Sequence, residues 1–300
     1  MEGATKQHFF FHGLPGREAE KSKCHFCQIR SFTTHAEYPI TITNIHDELV
    51  LEPGFRFVQN SHLGRGVQRA NDEFRVGCDC QDAEECQYEG CTCLDELEGS
   101  DEEPDEDNIR YRRKKYAYHS HGVKAGHLRT EVLESRDPIY ECHDGCACGP
   151  DCPNRFIDKY LGEIITPKEA ARRRAKSDIS QRKDVYLFAL DKFSDPESPD
   201  ERLRGPPLEV DGEFMSGPTR FINHSCDPNL RIFARVGDHA DKHIHDLAFF
   251  AIRDIAKGTE LTFDYVDGVE DSQNDAMNPA TTKDMTPCLC GSKKCRGYLW

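Results

Sequence analysis

Nine cysteines crowd into two short stretches of this 300-residue chain: Cys78, Cys80, Cys86, Cys91 and Cys93, then Cys142, Cys146, Cys148 and Cys152. Sulfur at that density leaves two frameworks, disulfides or bound metal. The start, Met1 to His8, has no apolar signal core, and no stretch approaches the roughly 18 to 20 apolar residues of a membrane span. An intracellular, reducing compartment is therefore expected, where cysteines at short spacing serve as metal ligands. An odd number would also leave one thiol over.

Structural zinc takes four tetrahedral ligands. Three ions need twelve bonds, which nine sulfurs supply only if three of them bridge two metals. The alternative is a pair of isolated four-cysteine sites with one thiol spare. The C-x-C pairs argue against it, because near-adjacent sulfurs can reach different metals of one cluster. Near the C-terminus, Cys288, Cys290 and Cys295 are one ligand short of a closed site. Cys226 is the remaining cysteine after Cys152, so the simplest fourth zinc site folds the tail back onto Cys226. The pair Cys24 and Cys27 lacks two partners and reads as reduced and partly buried.

Hydrophobic residues at 37% and charged residues at 31% suit an ordinary folded core. The net charge of -15 argues against direct sequence-specific nucleic-acid binding and for a basic partner. An acidic run over residues 95–107 reads as a loop, and the basic run Arg110, Arg112, Arg113, Lys114 and Lys115 as a solvated face or a nuclear-import signal. Thr166-Pro167-Lys168-Glu169 combines an N-cap, proline at the first helical position and a capping-box glutamate, so a helix should follow. Short β-type runs lie at residues 40–43, 185–190, 208–210, 230–236, 247–252 and 259–265. The fold class is mainly β with short helices (α+β). His239, His243 and His245 read as solvated hairpin histidines, not metal ligands.

Two motifs sharpen this. Arg220-Phe221-Ile222-Asn223-His224-Ser225-Cys226-Asp227-Pro228-Asn229, with Glu260-Leu261-Thr262-Phe263-Asp264-Tyr265 downstream, resembles the signatures of SET-domain lysine methyltransferases. The nine-cysteine block resembles the pre-SET module of the suppressor-of-variegation class. Cys288-Leu289-Cys290-Gly291-Ser292-Lys293-Lys294-Cys295 resembles its post-SET module. The likeness is greatest to fungal histone H3 lysine-9 methyltransferases. It implies a SET-type β fold with a pre-SET cluster of three zinc ions and a post-SET site of one. The implied layout is an N-terminal region 1–73, pre-SET 74–155, SET 156–270 and post-SET 271–300.

The resemblance further implies methyl transfer from S-adenosylmethionine to a histone H3 lysine, lysine-9 in the family's pattern, in the nucleus on chromatin. Tyr265 matches the catalytic tyrosine, and Tyr160 a second channel tyrosine. Tyr186, Arg220, Phe221, Asn223, His224, Leu299 and Trp300 match positions that line or cover the cofactor. Phe263 and Asp191 match substrate contacts. Phenylalanine at 263 leaves room for a growing methylammonium, so trimethylation is expected. Phe263 and Tyr265, two apart on a strand, should share a face.

The pattern breaks at one place. The family normally runs through a Gly-Trp-Gly element between the last pre-SET cysteine and the tyrosine motif, whereas this chain passes directly from Arg155 to Phe156. About thirty residues that would hold the methionine end of the cofactor are missing by this comparison. The alternative expectation is a catalytically inactive zinc scaffold that binds histone or chromatin.

Overall fold

The computed structural model describes residues 14–30, 51, 54–75, 77–81, 84–87, 91–94, 116–148, 158–176, 186–266 and 286–299. Cys152, Trp300, the strand expected at 40–43, the acidic and basic runs and the Arg155–Phe156 junction lie outside these residues. The chain forms two compact units, interleaved in sequence: residues 1–67, 158–189 and 209–223, and residues 68–157, 190–208 and 224–300. Among the described residues no helix is long and apolar enough to cross a membrane.

The first unit is built on a four-stranded sheet in the order His62–Leu63, Glu163–Ile165, Glu209–Asp211, Leu187–Ala189. The first pair is parallel and the others antiparallel. Ile164, Ile165, Val210 and Leu187 are buried, as β-branched and aliphatic residues on a packed sheet face should be. Gly162 is fixed by close approach, since a Cβ there would collide with the Asp211 carbonyl. The helix Pro167–Lys176 begins where Thr166 Oγ1 accepts the Glu169 N–H at 3.3 Å. It seats Ala170 against Ile165 and Leu187.

The capping box is only half built, because the Glu169 carboxylate turns to Arg172 and Arg173. Arg173 also holds Asp211 at 2.8 Å and Glu163 at 2.6 Å, tying helix to sheet. In the N-terminal part, helices Glu18–Lys23 and His25–Arg30 precede strand Arg56–Phe57, which pairs in parallel with Met215–Ser216. The His25 ring donates to the Phe55 carbonyl at 2.8 Å, and Gln28 accepts the Phe57 N–H at 3.0 Å.

In the second unit Leu230–Val236 pairs antiparallel with Asp246–Ala251 and parallel with Ile139–Tyr140. Phe233, Ala248, Phe250 and Ile139 pack with Leu94, Tyr116, Tyr118, Leu128 and Val132 around the cysteines, so the sulfur-rich segment lies inside the core. Glu141, fully buried, accepts from Tyr118 and from Arg235, and Arg235 also holds Asp246 at 2.6 Å. A buried carboxylate is tolerated only with such partners.

Two expectations need correction. His243 and His245 are buried, not solvated: His243 Nε2 donates to the Gln68 carbonyl, and His245 Nδ1 to that of Lys242. Burial lowers both pKa values, which keeps the rings neutral. The hydrophobic periodicity of a loop gave no sign that backbone carbonyls would compensate them. The run at 259–265 forms a strand only over Thr262–Phe263, because Asp264 turns its side chain to the tail and Tyr265 begins a turn.

Candidate metal centres and active site

Two sulfurs bound to one tetrahedral zinc at bond lengths near 2.3 Å must lie about 3.8 Å apart. Cys78 Sγ is 3.9 Å from both Cys86 and Cys142, Cys91 is 4.0 Å from Cys142, and Cys93 is 3.4 Å from Cys146. Among the described residues, three sets of four cysteines have all sulfurs within 4.8 Å: Cys78, Cys80, Cys86 and Cys91; Cys78, Cys86, Cys142 and Cys148; and Cys78, Cys91, Cys93 and Cys142. Isolated four-cysteine sites would share no sulfur, whereas these sets overlap at Cys78, Cys86, Cys91 and Cys142. Such overlap is what thiolates bridging two metal ions would require.

Burial pushes the Cys80 thiol up to about 12, so a divalent cation is what would hold it ionised at neutral pH. His143 is a neighbour the sequence spacing did not flag, grouped with Cys93 and Cys146. Cys24 and Cys27 are buried.

In the tail, Cys226 and Cys288 are 3.7 Å apart, and with Cys290 and His224 they form a fourth group within 4.8 Å. Cys295 is not in that group; it is exposed on the same turn and accepts the Gly297 N–H at 3.4 Å. Burial works to raise Cys290, yet hydrogen bonds from backbone groups and from the Cys288 and Cys295 thiols bring it down to about 6. A backbone pair between Cys288 and Gly297 and another between Leu299 and Thr286 close residues 286–299 into a hairpin. Leu299 is half-buried there.

In the first unit Tyr160 is buried and donates to the Tyr186 carbonyl at 3.2 Å, its ring edge-on to Phe188 at 4.7 Å. Its hydroxyl lies where a Cβ on residue 212 would be, which requires Gly212. The Arg220 guanidinium lies over the rings of Tyr186 at 4.1 Å, Phe55 at 4.8 Å and Phe221 at 5.4 Å. Arg220 also donates to the Gly212 and Glu213 carbonyls at 2.8 and 3.3 Å. Arg220 is thus an internal strut that holds aromatic rings in place. Asn223 is exposed.

In the second unit the Phe263 and Tyr265 rings meet at 4.6 Å although Tyr265 lies beyond the strand, and Phe263 also packs on Phe249 at 4.9 Å. His224 Nδ1 accepts the Tyr265 N–H at 3.2 Å. Burial lowers the His224 pKa, against the pull of Asp264. Asp191 is exposed. Two residues of this region were missed by the motif reading: Asp264, masked by its aromatic neighbours, and Arg296, which forks onto it from the tail at 2.5 and 2.6 Å. The one available signal was Arg296 standing next to a metal-spaced cysteine.

A cysteine-lined core, together with the pairing of Asn223–His224 with Thr262–Phe263 that leads into Tyr265, defines a SET-type protein, and residues 152–266 match the SET domain family and 32–155 the Pre-SET motif. The chain belongs to the SET-domain histone-lysine N-methyltransferases, as full-length likeness to two fungal enzymes shows. It is 57% identical to the histone-lysine N-methyltransferase, H3 lysine-9 specific dim-5, of Neurospora crassa, covering 100% of both chains. It is 55% identical to the H3 lysine-9 specific KMT1 enzyme of Fusarium mangiferae, covering 100% of this chain and 99% of that protein. The solved Neurospora SET domain protein DIM-5, a histone lysine methyltransferase, superposes with a TM-score of 0.65 at 53% identity, over 81% of this chain and 96% of that one. The Neurospora alignment spans 334 positions, 34 more than the 300 residues of this chain, so that many positions hold no residue here.

Proposed function

We propose that this chain methylates lysine-9 of histone H3 up to the trimethyl state, acting in the nucleus on chromatin, with three zinc ions in a shared cysteine cluster and one in the tail site. The observation that carries the catalytic part is the Phe263–Tyr265 ring pair beside His224, within a chain similar throughout to two H3 lysine-9 enzymes.

A lysine ammonium has no lone pair, and deprotonating it at neutral pH costs about 4 to 5 kcal/mol. The buried Phe263 ring offers an apolar wall that lowers this cost by disfavouring the charged form. Tyr265 is assigned as the catalytic hydroxyl and Tyr160 as the tyrosine that orients the amine. The exposed Asp191 carboxylate is assigned to attract the basic tail of H3, in keeping with the net charge of -15. The tail would lie as an added strand, with backbone pairing giving affinity.

S-adenosylmethionine, when bound, supplies an electrophilic sulfonium methyl group, and Tyr186, Phe221, Asn223, His224, Leu299 and Trp300 would hold it. The fit is partial. Exposed Asn223 and the aromatic shelf of Tyr186 and Phe221 suit one face of the adenosine. Arg220, stacked on these rings and donating to the Gly212 and Glu213 carbonyls, contributes by fixing that shelf. The close approach of the sulfurs of Cys78, Cys80, Cys86, Cys91, Cys93, Cys142, Cys146 and Cys148 supports zinc in the cluster, with Cys152 assigned as the ninth ligand; Cys226, Cys288 and Cys290 support the tail zinc, with Cys295 assigned as its fourth ligand.

The test is transfer of labelled methyl groups to an H3 tail peptide, with mass spectrometry of the product. Trimethyl lysine-9, lost in Tyr265→Phe and in a peptide lacking lysine-9, is the expected outcome. Transfer to another lysine would overturn the substrate assignment.

A second function is favoured by one observation, the 34 aligned positions with no residue in this chain. If they fall at Arg155–Phe156, the methyl donor loses part of its pocket, and the molecule is a zinc scaffold that binds chromatin. Labelled transfer by the 300-residue chain would exclude that reading. Sequencing transcripts across the junction would show whether a longer form is made.

A further inference from the structure

The tail zinc site and the catalytic tyrosine meet in one hydrogen-bond network that the metal ligands alone do not account for. Cys226 Sγ is approached by two nitrogens, His224 Nε2 at 3.2 Å and the Arg296 N–H at 3.4 Å. His224 Nδ1 accepts the Tyr265 N–H, so the ring proton sits on Nε2 and points at the sulfur. The Arg296 side chain grips Asp264 through both carboxylate oxygens at 2.5 and 2.6 Å, with both side chains largely buried. Asp264 is the residue between Phe263 and Tyr265. Its Oδ1 also accepts the Val266 N–H at 3.1 Å and lies 3.5 Å from His224 Nδ1.

We propose that Asp264 and Arg296 form a latch that fixes the tail against the Tyr265 turn, with the Cys226 thiolate as its second anchor. Arg296 is then a positioning residue: one side of it secures the catalytic turn, and its backbone donates to a zinc-bound sulfur. A bidentate guanidinium–carboxylate pair is directional as well as strong, which suits a role in orienting a neighbour. Donors to a metal-bound thiolate stabilise its negative charge, so the two halves reinforce each other. The inference rests on the tail zinc site proposed above. It extends that site from four ligands to the residues that couple it to chemistry.

The test uses the full chain loaded with zinc and the variants Arg296→Gln, Arg296→Lys, Asp264→Asn and the reversed pair Asp264→Arg with Arg296→Asp. Zinc released to a colorimetric chelator is followed in time, and hydrogen exchange is followed over residues 262–266. Arg296→Gln and Asp264→Asn are expected to speed release of the tail zinc by about tenfold. They should also remove exchange protection at the Tyr265 amide while the cluster zinc is released at its original rate. Arg296→Lys, which keeps the charge and loses the fork, should fall nearer to Gln than to wild type, and the reversed pair should recover part of the protection.

Unchanged release and exchange in the two single variants would overturn the latch. So would faster release of all zinc at one common rate, which marks loss of the fold. Neither readout requires methyl transfer, so failure of the latch and failure of the enzymatic function are told apart.

Discussion

Phe263 carries the most specific consequence of any single side chain. Its ring is 3% exposed and bears on Phe249 and Tyr265. A hydroxyl added there would enter an apolar contact and would need a partner, either the substrate amine or a water. Phe263→Tyr should therefore shift product from trimethyl toward mono- and dimethyl lysine with little loss of first-step rate, as read by mass spectrometry of the peptide. A second residue prediction concerns Asp158, whose carboxyl burial pushes up to about 6 from 3.8. Its folded form holds a proton that the unfolded form has released, so stability falls as pH rises from about 4 to 6 and stays lowered above it. Asp158→Asn should remove that dependence and raise the Tm at pH 7, by an amount equal to about 1 to 2 kcal/mol after allowing for partial exposure. An unchanged Tm-versus-pH curve would show that the carboxylate is solvated.

Among the secondary-structure elements, the helix Pro167–Lys176 was legible because its start is written in local chemistry: Thr166 caps it and Pro167 is preset for the first turn. Strand Leu230–Val236 was legible to the residue, although of its apolar positions only Leu230, Phe233 and Val236 are buried while Ile232 and Ala234 stay half-buried. The Thr262–Phe263 strand was overestimated, since an aromatic run reads as strand while a distant arginine, Arg296, decides where it stops. The same limit hid Arg173, which looks from sequence like a solvated helix residue. It instead compensates Asp211, a carboxylate 2% exposed, at the end of a neighbouring strand. Removing it as Arg173→Met leaves a buried charge without its counterion and should cost about 3 to 5 kcal/mol. Arg173→Met together with Asp211→Asn should recover much of that loss. Equilibrium urea unfolding checks both, and equal loss in single and double variants would mean that the pair is not coupled.

For the molecule as a whole, cysteine spacing was more informative than hydrophobic pattern, because it foretold which sulfurs gather in one core while the order of strands was not written locally. Its consequence is a specific order of disassembly. Cys78, Cys86, Cys91, Cys93 and Cys142 are at most 2% exposed and share one core with Leu94, Tyr116, Tyr118 and Phe250, whereas the tail cysteines are half-buried or exposed. A chelator can reach the tail ligands by a local opening, but it reaches the cluster only when that core opens, and the binding energy of such a cluster is folding energy. Chelation should thus release zinc in two phases. The fast minor phase should come from the tail, with the near-UV signal of Tyr116 and Tyr118 preserved. The slow major phase should coincide with loss of that signal and should accelerate with urea, while the minor phase responds weakly. A single phase, or cluster zinc lost with the tyrosine signal intact, would mean that the sulfurs are not the keystone of this core.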